Sequence, residues 1–123
     1  MENINNVRAV FYDNSYEEIV EKGISAIAEV LRGNNTEEKE SLLLCLDKYL
    51  DPWFGYKLPY LNEIVKLLEY VVIDTNTIPV KKDASQLLID YAYPPFTILE
   101  KNTNNIEDEL IDEVRYAINI DKE

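Results

Sequence analysis

Hydrophobic residues recur along most of this chain at the three- and four-residue spacing of amphipathic helices. The clearest stripes lie in residues 40–50 and 61–73, where leucine, isoleucine and valine return at each helical turn. The same spacing follows Ser15 and Pro79 and fills residues 106–118. We therefore predict an all-α chain, a single domain of five to six antiparallel helices arranged as a helical bundle or a short HEAT-like array.

Helix-start and helix-stop signals divide this pattern into segments. Residues 15–18 have the Ser-x-x-Glu form of a capping box, and we expect that helix to continue until Gly33 supplies a left-handed stop. Asn35 or Thr36 caps the next helix because side-chain oxygens at this position accept orphan backbone N–H groups. Asp51-Pro52 then ends it, since proline disfavours a helical conformation in the residue before it.

The second half of the chain follows the same logic. Pro59 is predicted at the first helical position of one helix, where its missing N–H costs nothing, and Pro79 opens the next helix. Pro94-Pro95 interrupts that helix, after which Phe96 and Leu99 fold a short helical turn back onto the core. In the HEAT-like alternative, acidic and small residues among periodic aliphatics resemble the second helix of a HEAT repeat, namely Asp83, Ala84, Asp112 or Glu113, and Ala117.

The two ends of the chain carry weaker signals. Residues 1–12 form a lead-in whose centre, VRAVFY, fits a short strand or a first helix equally well. Because a lone strand would have no obvious partner, we favour a helical or extended segment that packs on the core. Residues 121–123 are expected to fray.

An aromatic loop, PWFGYKL, separates the two strongest stripes. Its large rings belong to Trp53, Phe54 and Tyr56, with Tyr60 following. We expect these rings to plug one end of the core, because large aromatics supply much of the burial energy of a small domain. The competing interpretation places them at the surface as anchors for a partner, since Trp and Tyr are enriched at binding hot spots.

Composition narrows the functional classes. Twelve basic residues against 24 acidic ones give a net charge of −12, which opposes binding to nucleic acid or anionic membranes and favours a basic partner. The single Cys45 lies in an apolar run, so we expect a buried, inert thiol and a reducing compartment. No apolar run is long enough for a membrane span and the N-terminus lacks signal-peptide character, so a cytoplasmic location is expected.

The sequence offers little for catalysis. It contains no histidine, which removes the commonest general base and zinc ligand, and it has no metal-binding, phosphate-binding or dinucleotide motif. Carboxylates four apart, Glu109 with Glu113 or Asp108 with Asp112, could hold a divalent cation, but their pattern is that of a solvated helix face. We expect no enzymatic activity, no cofactor and no metal.

Two clusters combine carboxylates with exposed aromatic candidates. If the first two helices pack side by side, their acidic residues flank the aromatic loop, and a second aromatic pair precedes Pro94. Aromatic anchors rimmed by negative charge suit a basic protein surface, because the rings supply affinity and the charges supply association rate. The predicted partner-binding residues are Asp13, Glu17, Glu18, Glu21, Asp47, Asp51, Trp53, Tyr56, Asp90, Tyr91 and Tyr93.

The chain resembles the small acidic immunity proteins encoded beside bacterial polymorphic toxins, including those of contact-dependent growth inhibition systems. The resemblance lies in the acidic helical body and in three segments: YDNSYEEI at residues 12–19, DPWFGYKLPY at 51–60 and DYAYPPFTILEKN at 90–102. It implies a protein without enzymatic activity that binds a cognate toxin domain, often a basic nuclease, and either plugs its active site or acts from a neighbouring surface.

Three functional hypotheses follow for this chain. The first is toxin neutralisation by direct binding through carboxylates and exposed aromatics. The second is a HEAT-like helical adaptor or regulatory module that binds a peptide or helix in an apolar groove. The third, a carboxylate-metal enzyme, predicts that a divalent ion raises the melting temperature and that a chelator reverses the effect. The sequence leaves the oligomeric state open.

Overall fold

A computed structural model describes residues 14–120 of the chain, and these residues contain helices and turns but no strand. Two 3-10 turns, Pro52–Phe54 and Thr103–Asn105, lie between helices in this part of the chain. The predicted all-α class is confirmed for the described residues, although their seven helices exceed the predicted five to six. The helices are α1 (Asn14–Lys22), α2 (Ile24–Leu31), α3 (Thr36–Leu50), α4 (Leu61–Ile73), α5 (Ile78–Tyr91), α6 (Thr97–Lys101) and α7 (Asp108–Asn119).

Side-chain caps fix several of these boundaries. Asn35 accepts a hydrogen bond from the Glu38 N–H at 3.0 Å and so begins α3, as predicted. Thr77 accepts one from the Val80 N–H at 3.4 Å at the start of α5. Helix α3 ends at Leu50 because the next residue, Asp51, has an extended conformation before proline.

Four predicted details of the helix ends are wrong. The helix that was expected to run to Gly33 breaks at Gly23, whose φ of 113° is accessible to glycine and strained for other residues. Ser15 is not a cap, since α1 already includes Asn14. Gly33 is not left-handed, because α2 ends through Arg32 in a right-handed conformation. Pro59 precedes α4, which starts two residues later at Leu61.

The core forms around α5, which packs against α3, α4 and α7. The stripes identified from spacing supply this core, because most of their aliphatic side chains are buried there. Lys81 of α5 also reaches Glu107 at 2.6 Å and ties the beginning of α7 to the bundle. The fully buried larger side chains include Ile27, Leu42, Leu46, Ile64, Leu68, Leu88, Phe96, Leu99 and Leu110.

Helices α3 and α5 lie side by side and run in the same direction. Lys39 near the start of α3 donates a hydrogen bond to Asn76, just before α5. Tyr91 at the end of α5 donates one to Asp47 in the penultimate turn of α3. Since the first turns of the two helices lie close together and so do their last turns, the pair is parallel. This is compatible with the predicted antiparallel packing of chain neighbours, because α4 lies between α3 and α5 in the chain.

Some predictions concern residues beyond the described range. The lead-in, including Asp13, and the frayed tail at 121–123 both lie outside residues 14–120. None of the described helices combines the length and the apolar character that crossing a membrane requires.

Candidate functional site

The aromatic turn, which we define as residues 52–56, projects its rings into solvent. Trp53 is 86% exposed, Phe54 52% and Tyr56 43%. The prediction that the loop plugs the core is therefore wrong for these three residues. The end of the core is instead covered by Tyr49, which is buried, and by Tyr60, which is half-buried and donates a hydrogen bond to the Val20 carbonyl.

Local hydrogen bonds hold the aromatic turn in this conformation. The Asp51 carboxylate accepts the Trp53 N–H at 2.9 Å, and the Gly55 N–H donates to the Pro52 carbonyl at 3.1 Å. Gly55 is left-handed, with φ of 75°, which glycine adopts without steric cost. The turn therefore presents Trp53 from a backbone whose polar groups are satisfied locally, and this pre-organisation lowers the entropy lost on binding.

Three carboxylates surround the Tyr91 hydroxyl at the adjoining ends of α3 and α5. The phenol donates a hydrogen bond to Asp47, and this bond is the main reason that the pKa of Tyr91 is raised. Burial and the negative charges of Asp47, Asp51 and Asp90 raise that pKa further. The structure thus brings four predicted site residues together, and we name Asp47, Asp51 and Asp90 the aspartate cluster.

Neutral donors satisfy part of this cluster. The Tyr91 hydroxyl donates a hydrogen bond to Asp47, and the Trp53 N–H donates one to Asp51. The Gln86 amide donates one to Asp90 at 2.9 Å. These donors are neutral, but the cationic Lys48 lines the same depression as Asp47 and Asp51. Three carboxylates against one lysine leave a net negative potential next to the aromatic turn. Such a potential favours an approaching Lys or Arg.

The acidic residues of α1 have mainly structural contacts. Glu17 forms an ion pair with Lys48 at 2.9 Å, and Glu21 accepts a hydrogen bond from the Tyr49 hydroxyl at 3.4 Å. Both contacts fasten α1 to α3. Burial, followed by the charge of Glu21, raises the pKa of Tyr49 to about 12, so this phenol stays protonated and able to donate. Glu18 is exposed.

Aromatic contacts connect α1 to the aromatic turn. The rings of Tyr49 and Tyr56 lie 4.4 Å apart between centroids at an angle of 39°. The Lys48 ammonium group, already paired with Glu17, lies 5.7 Å from the Tyr56 centroid, within reach of a cation–π contact. Tyr56 is therefore packed against Tyr49 and Lys48, whereas Trp53 is 86% exposed. Tyr93, after α5, is 68% exposed.

Leu44 belongs to this surface and was not among the predicted site residues. It is 38% exposed on α3, between the core-facing residues Leu43 and Cys45. The available signal was its position in the Leu42–Leu46 run, which is wider than one helix face needs. A leucine at the outer edge of such a run is a candidate for an interface.

The remaining chemical candidates are the thiol of Cys45 and the carboxylates that could hold a metal ion. Cys45 is fully buried, as predicted, and burial raises the pKa of its thiol to about 11, so the reactive thiolate is scarce at neutral pH. Within residues 14–120, no group of three or more Cys, Asp or Glu side chains is placed to hold a metal ion.

The described surface therefore combines a fixed, exposed tryptophan, the aspartate cluster and a solvent-facing leucine. Exposed aromatic and charged side chains of this kind are typical of binding hot spots and their rims. Comparison with known proteins finds no family model, no curated protein and no solved structure that matches the chain.

Proposed function

We propose that this protein is an immunity protein that binds a cognate bacterial toxin domain and neutralises it by direct contact. The observation that carries the proposal is Trp53, a large aromatic side chain that is 86% exposed on a hydrogen-bonded turn. Large aromatic side chains are usually buried in soluble proteins, so an ordered, exposed one is best explained by a partner that covers it.

Charge supports a basic partner. The whole chain has a net charge of −12, and the aspartate cluster lies next to the aromatic turn. A basic nuclease domain, the kind of toxin that the resemblance implies, would meet complementary charge here. In this proposal the protein acts in the cytoplasm, without cofactor or catalysis, by occupying a surface that the toxin needs.

Substitution of Trp53 by alanine tests the proposal. The free energy of unfolding should change by less than ~0.5 kcal/mol, because the side chain is mostly in solvent. Affinity for the toxin domain encoded beside this chain should fall by ~30-fold or more, corresponding to a hot-spot loss of about 2 kcal/mol. Urea denaturation and isothermal titration calorimetry measure the two quantities.

Tyr70→Ala is the matched control, because Tyr70 is an aromatic residue that is 43% exposed on α4. Leu61 begins α4 at the end that follows the aromatic turn in the chain. Tyr70 lies nine residues further, about 14 Å along the helix at ~1.5 Å per residue. This variant should bind the toxin like the wild type. Absence of any binding between the wild-type protein and the adjacent toxin would refute the proposed function, and unimpaired binding by Trp53→Ala would refute the role of Trp53.

The second candidate is a HEAT-like adaptor that binds a peptide or helix. The parallel packing of α3 and α5 favours it, since equivalent helices of successive helical-hairpin repeats lie side by side in the same direction. An adaptor with an apolar groove should bind several partners and be insensitive to salt, whereas an immunity protein should bind one partner and lose association rate as salt rises.

A further inference from the structure

A groove follows the line along which α3 and α5 meet. The groove has a volume of about 190 Å³ and is partly open to solvent, which leaves room for individual side chains of a partner. Three leucines and Gln86 supply its middle, and acidic side chains supply its ends. Its lining comprises Glu40, Leu43, Leu44 and Asp47 from α3, and Asp83, Gln86, Leu87 and Asp90 from α5.

The two walls of the groove have the same spacing of residue types. On α3 a carboxylate at Glu40 is followed by leucines three and four residues later and by Asp47 seven residues later. On α5 Asp83 is followed by Gln86 and Leu87 and then by Asp90 at the same intervals. Seven residues are about two helical turns, ~10.5 Å, so acidic groups bracket an apolar centre on both sides.

Two carboxylates at one end of the groove have neutral partners. Asp47 and Asp90 accept hydrogen bonds from the neutral Tyr91 hydroxyl and Gln86 amide, so these contacts leave their negative charge in place. We therefore place the main cationic contact at Asp47 and Asp90.

The groove is continuous with the aromatic turn. A neighbouring depression of about 270 Å³ shares Leu44 and Asp47 with it and extends past Lys48 and Asp51 to Phe54. Phe54 is 52% exposed and Leu44 38% exposed, so apolar surface continues from the groove to the turn. A partner element that covers this path would touch both apolar and acidic groups along its length.

We infer that the groove between α3 and α5 seats a basic amphipathic helix of the partner protein. Lys or Arg side chains of that helix contact Asp47 and Asp90, and its aliphatic side chains cover Leu44, which is 38% exposed. A helix is favoured over a strand because the walls repeat at helical intervals and α3 and α5 have no free backbone edge for an extended peptide to pair with. The inference rests on the proposed protein-binding function and assigns a surface to it.

A synthetic probe tests the groove without knowledge of the natural partner. The probe is a capped helical peptide of about four turns with Arg at i and i+7 and Leu at i+3 and i+4. Titrated into the ¹⁵N-labelled full-length protein, it should shift the backbone amide signals of Leu44, Asp47, Leu87 and Asp90 most. The same peptide with Glu in place of Arg should cause no saturable shifts.

Paired charge removal separates site binding from general attraction. Asp47→Asn/Asp90→Asn keeps oxygen acceptors in place and should weaken peptide binding by about tenfold or more. Glu63→Gln/Glu109→Gln removes the same charge at exposed positions outside the groove and should leave affinity within about twofold. Equal weakening by both pairs, shifts scattered over the acidic surface, or no binding at millimolar peptide would overturn the inference.

The adjacent toxin domain separates this inference from the proposed function. If the toxin binds and the Asp47→Asn/Asp90→Asn variant binds it as well as the wild type, the groove assignment is wrong while the function stands. If the peptide binds in the groove and the toxin does not bind at all, the function is wrong and the groove remains a site for basic helices.

Discussion

Glu69 shows how one buried side chain can organise a distant segment. It is 3% exposed on α4, and its Oε1 accepts the N–H groups of Ile98 at 3.0 Å and Leu99 at 3.2 Å. These are N–H groups of the first turn of α6, which Phe96 at the N-cap position has no side-chain oxygen to satisfy. Glu69 therefore supplies the cap of α6 from another helix.

Replacement of Glu69 tests this role. Glu69→Ala leaves two N–H groups without their acceptor and should lower the free energy of unfolding by about 1–3 kcal/mol. Glu69→Gln retains an oxygen acceptor and should cost clearly less. Urea denaturation of both variants at pH 7 measures the difference, and equal losses would show that the carboxylate does not act as a cap.

The pH dependence of Glu69→Gln has a definite sign. Burial raises the pKa of Glu69 above its ordinary 4.5, although the two backbone hydrogen bonds oppose this. Between 4.5 and the raised value the folded state holds a proton that the unfolded state has lost, so this group lowers stability as pH rises. Gln has no charge to desolvate. The difference in unfolding free energy between Glu69→Gln and the wild type should therefore shift in favour of the variant as pH rises from 4 to 7. A difference that does not change with pH would contradict this.

At the scale of helices, Gly23 decides the path of the first third of the chain. Its φ of 113° and ψ of −173° lie in a region that essentially only glycine populates. The resulting break lets α1 pack on α3 while α2 contacts both α3 and α4. A continuous helix in the same place would not reach all of these neighbours.

Gly23→Ala should therefore lower the free energy of unfolding by about 1–3 kcal/mol, the cost of forcing a residue with a Cβ into this conformation. The sign of this change distinguishes the two conformations of Gly23. Replacing glycine by alanine within an ordinary helix raises the free energy of unfolding by up to ~1 kcal/mol, whereas here it should fall. Ser25→Ala, on the exposed face of α2, serves as the control and should change stability little. A stabilised Gly23→Ala protein would mean that α1 and α2 join in solution.

Periodicity predicted which faces of the helices form the core. Leu42, Leu46, Ile64, Leu68 and Leu88 are buried as their spacing required, because an apolar stripe identifies the face that avoids water. The break at Gly23 was not predictable in this way, since both halves carry the same stripe and glycine is tolerated within helices.

The candidate site was predictable only in part. Asp47, Asp51, Asp90 and Tyr91 were proposed from composition and do converge, but that depends on the parallel packing of α3 and α5, which local sequence does not encode. The sequence left two positions open for Trp53, in the core or at the surface as an anchor, and burial was favoured because the side chain is hydrophobic. The Asp51-capped turn directs the ring outward. The hydrogen-bonded turn therefore determines the position of the Trp53 side chain, although its hydrophobicity favours burial.

At the scale of the whole molecule, excess negative charge opposes folding and assists association. A net charge of −12 on 123 residues means that carboxylates repel one another across the surface. Only partial compensation comes from ion pairs such as Glu17 with Lys48. In the proposed function, this cost is offset by faster association with a basic toxin domain.

Salt should therefore act in opposite directions on the two processes. Raising NaCl shortens the Debye length from ~30 Å at 0.01 M to ~10 Å at 0.1 M, which relieves self-repulsion and should raise the melting temperature of the free protein. The same screening should slow association with a basic toxin domain by about tenfold or more while the dissociation rate changes little. Differential scanning calorimetry and stopped-flow fluorescence measure the two effects.

The rate constants also distinguish the contributions of charge and of the aromatic turn. The charges of the aspartate cluster attract a basic partner over a distance. Neutralising Asp47, Asp51 and Asp90 should therefore reduce the association rate constant and make it less dependent on salt. Trp53 acts only after contact, so Trp53→Ala should raise the dissociation rate and leave the salt dependence of association unchanged. If the association rate of the wild-type protein proved independent of salt, steering by the acidic surface would be excluded, and an apolar groove would have to account for binding.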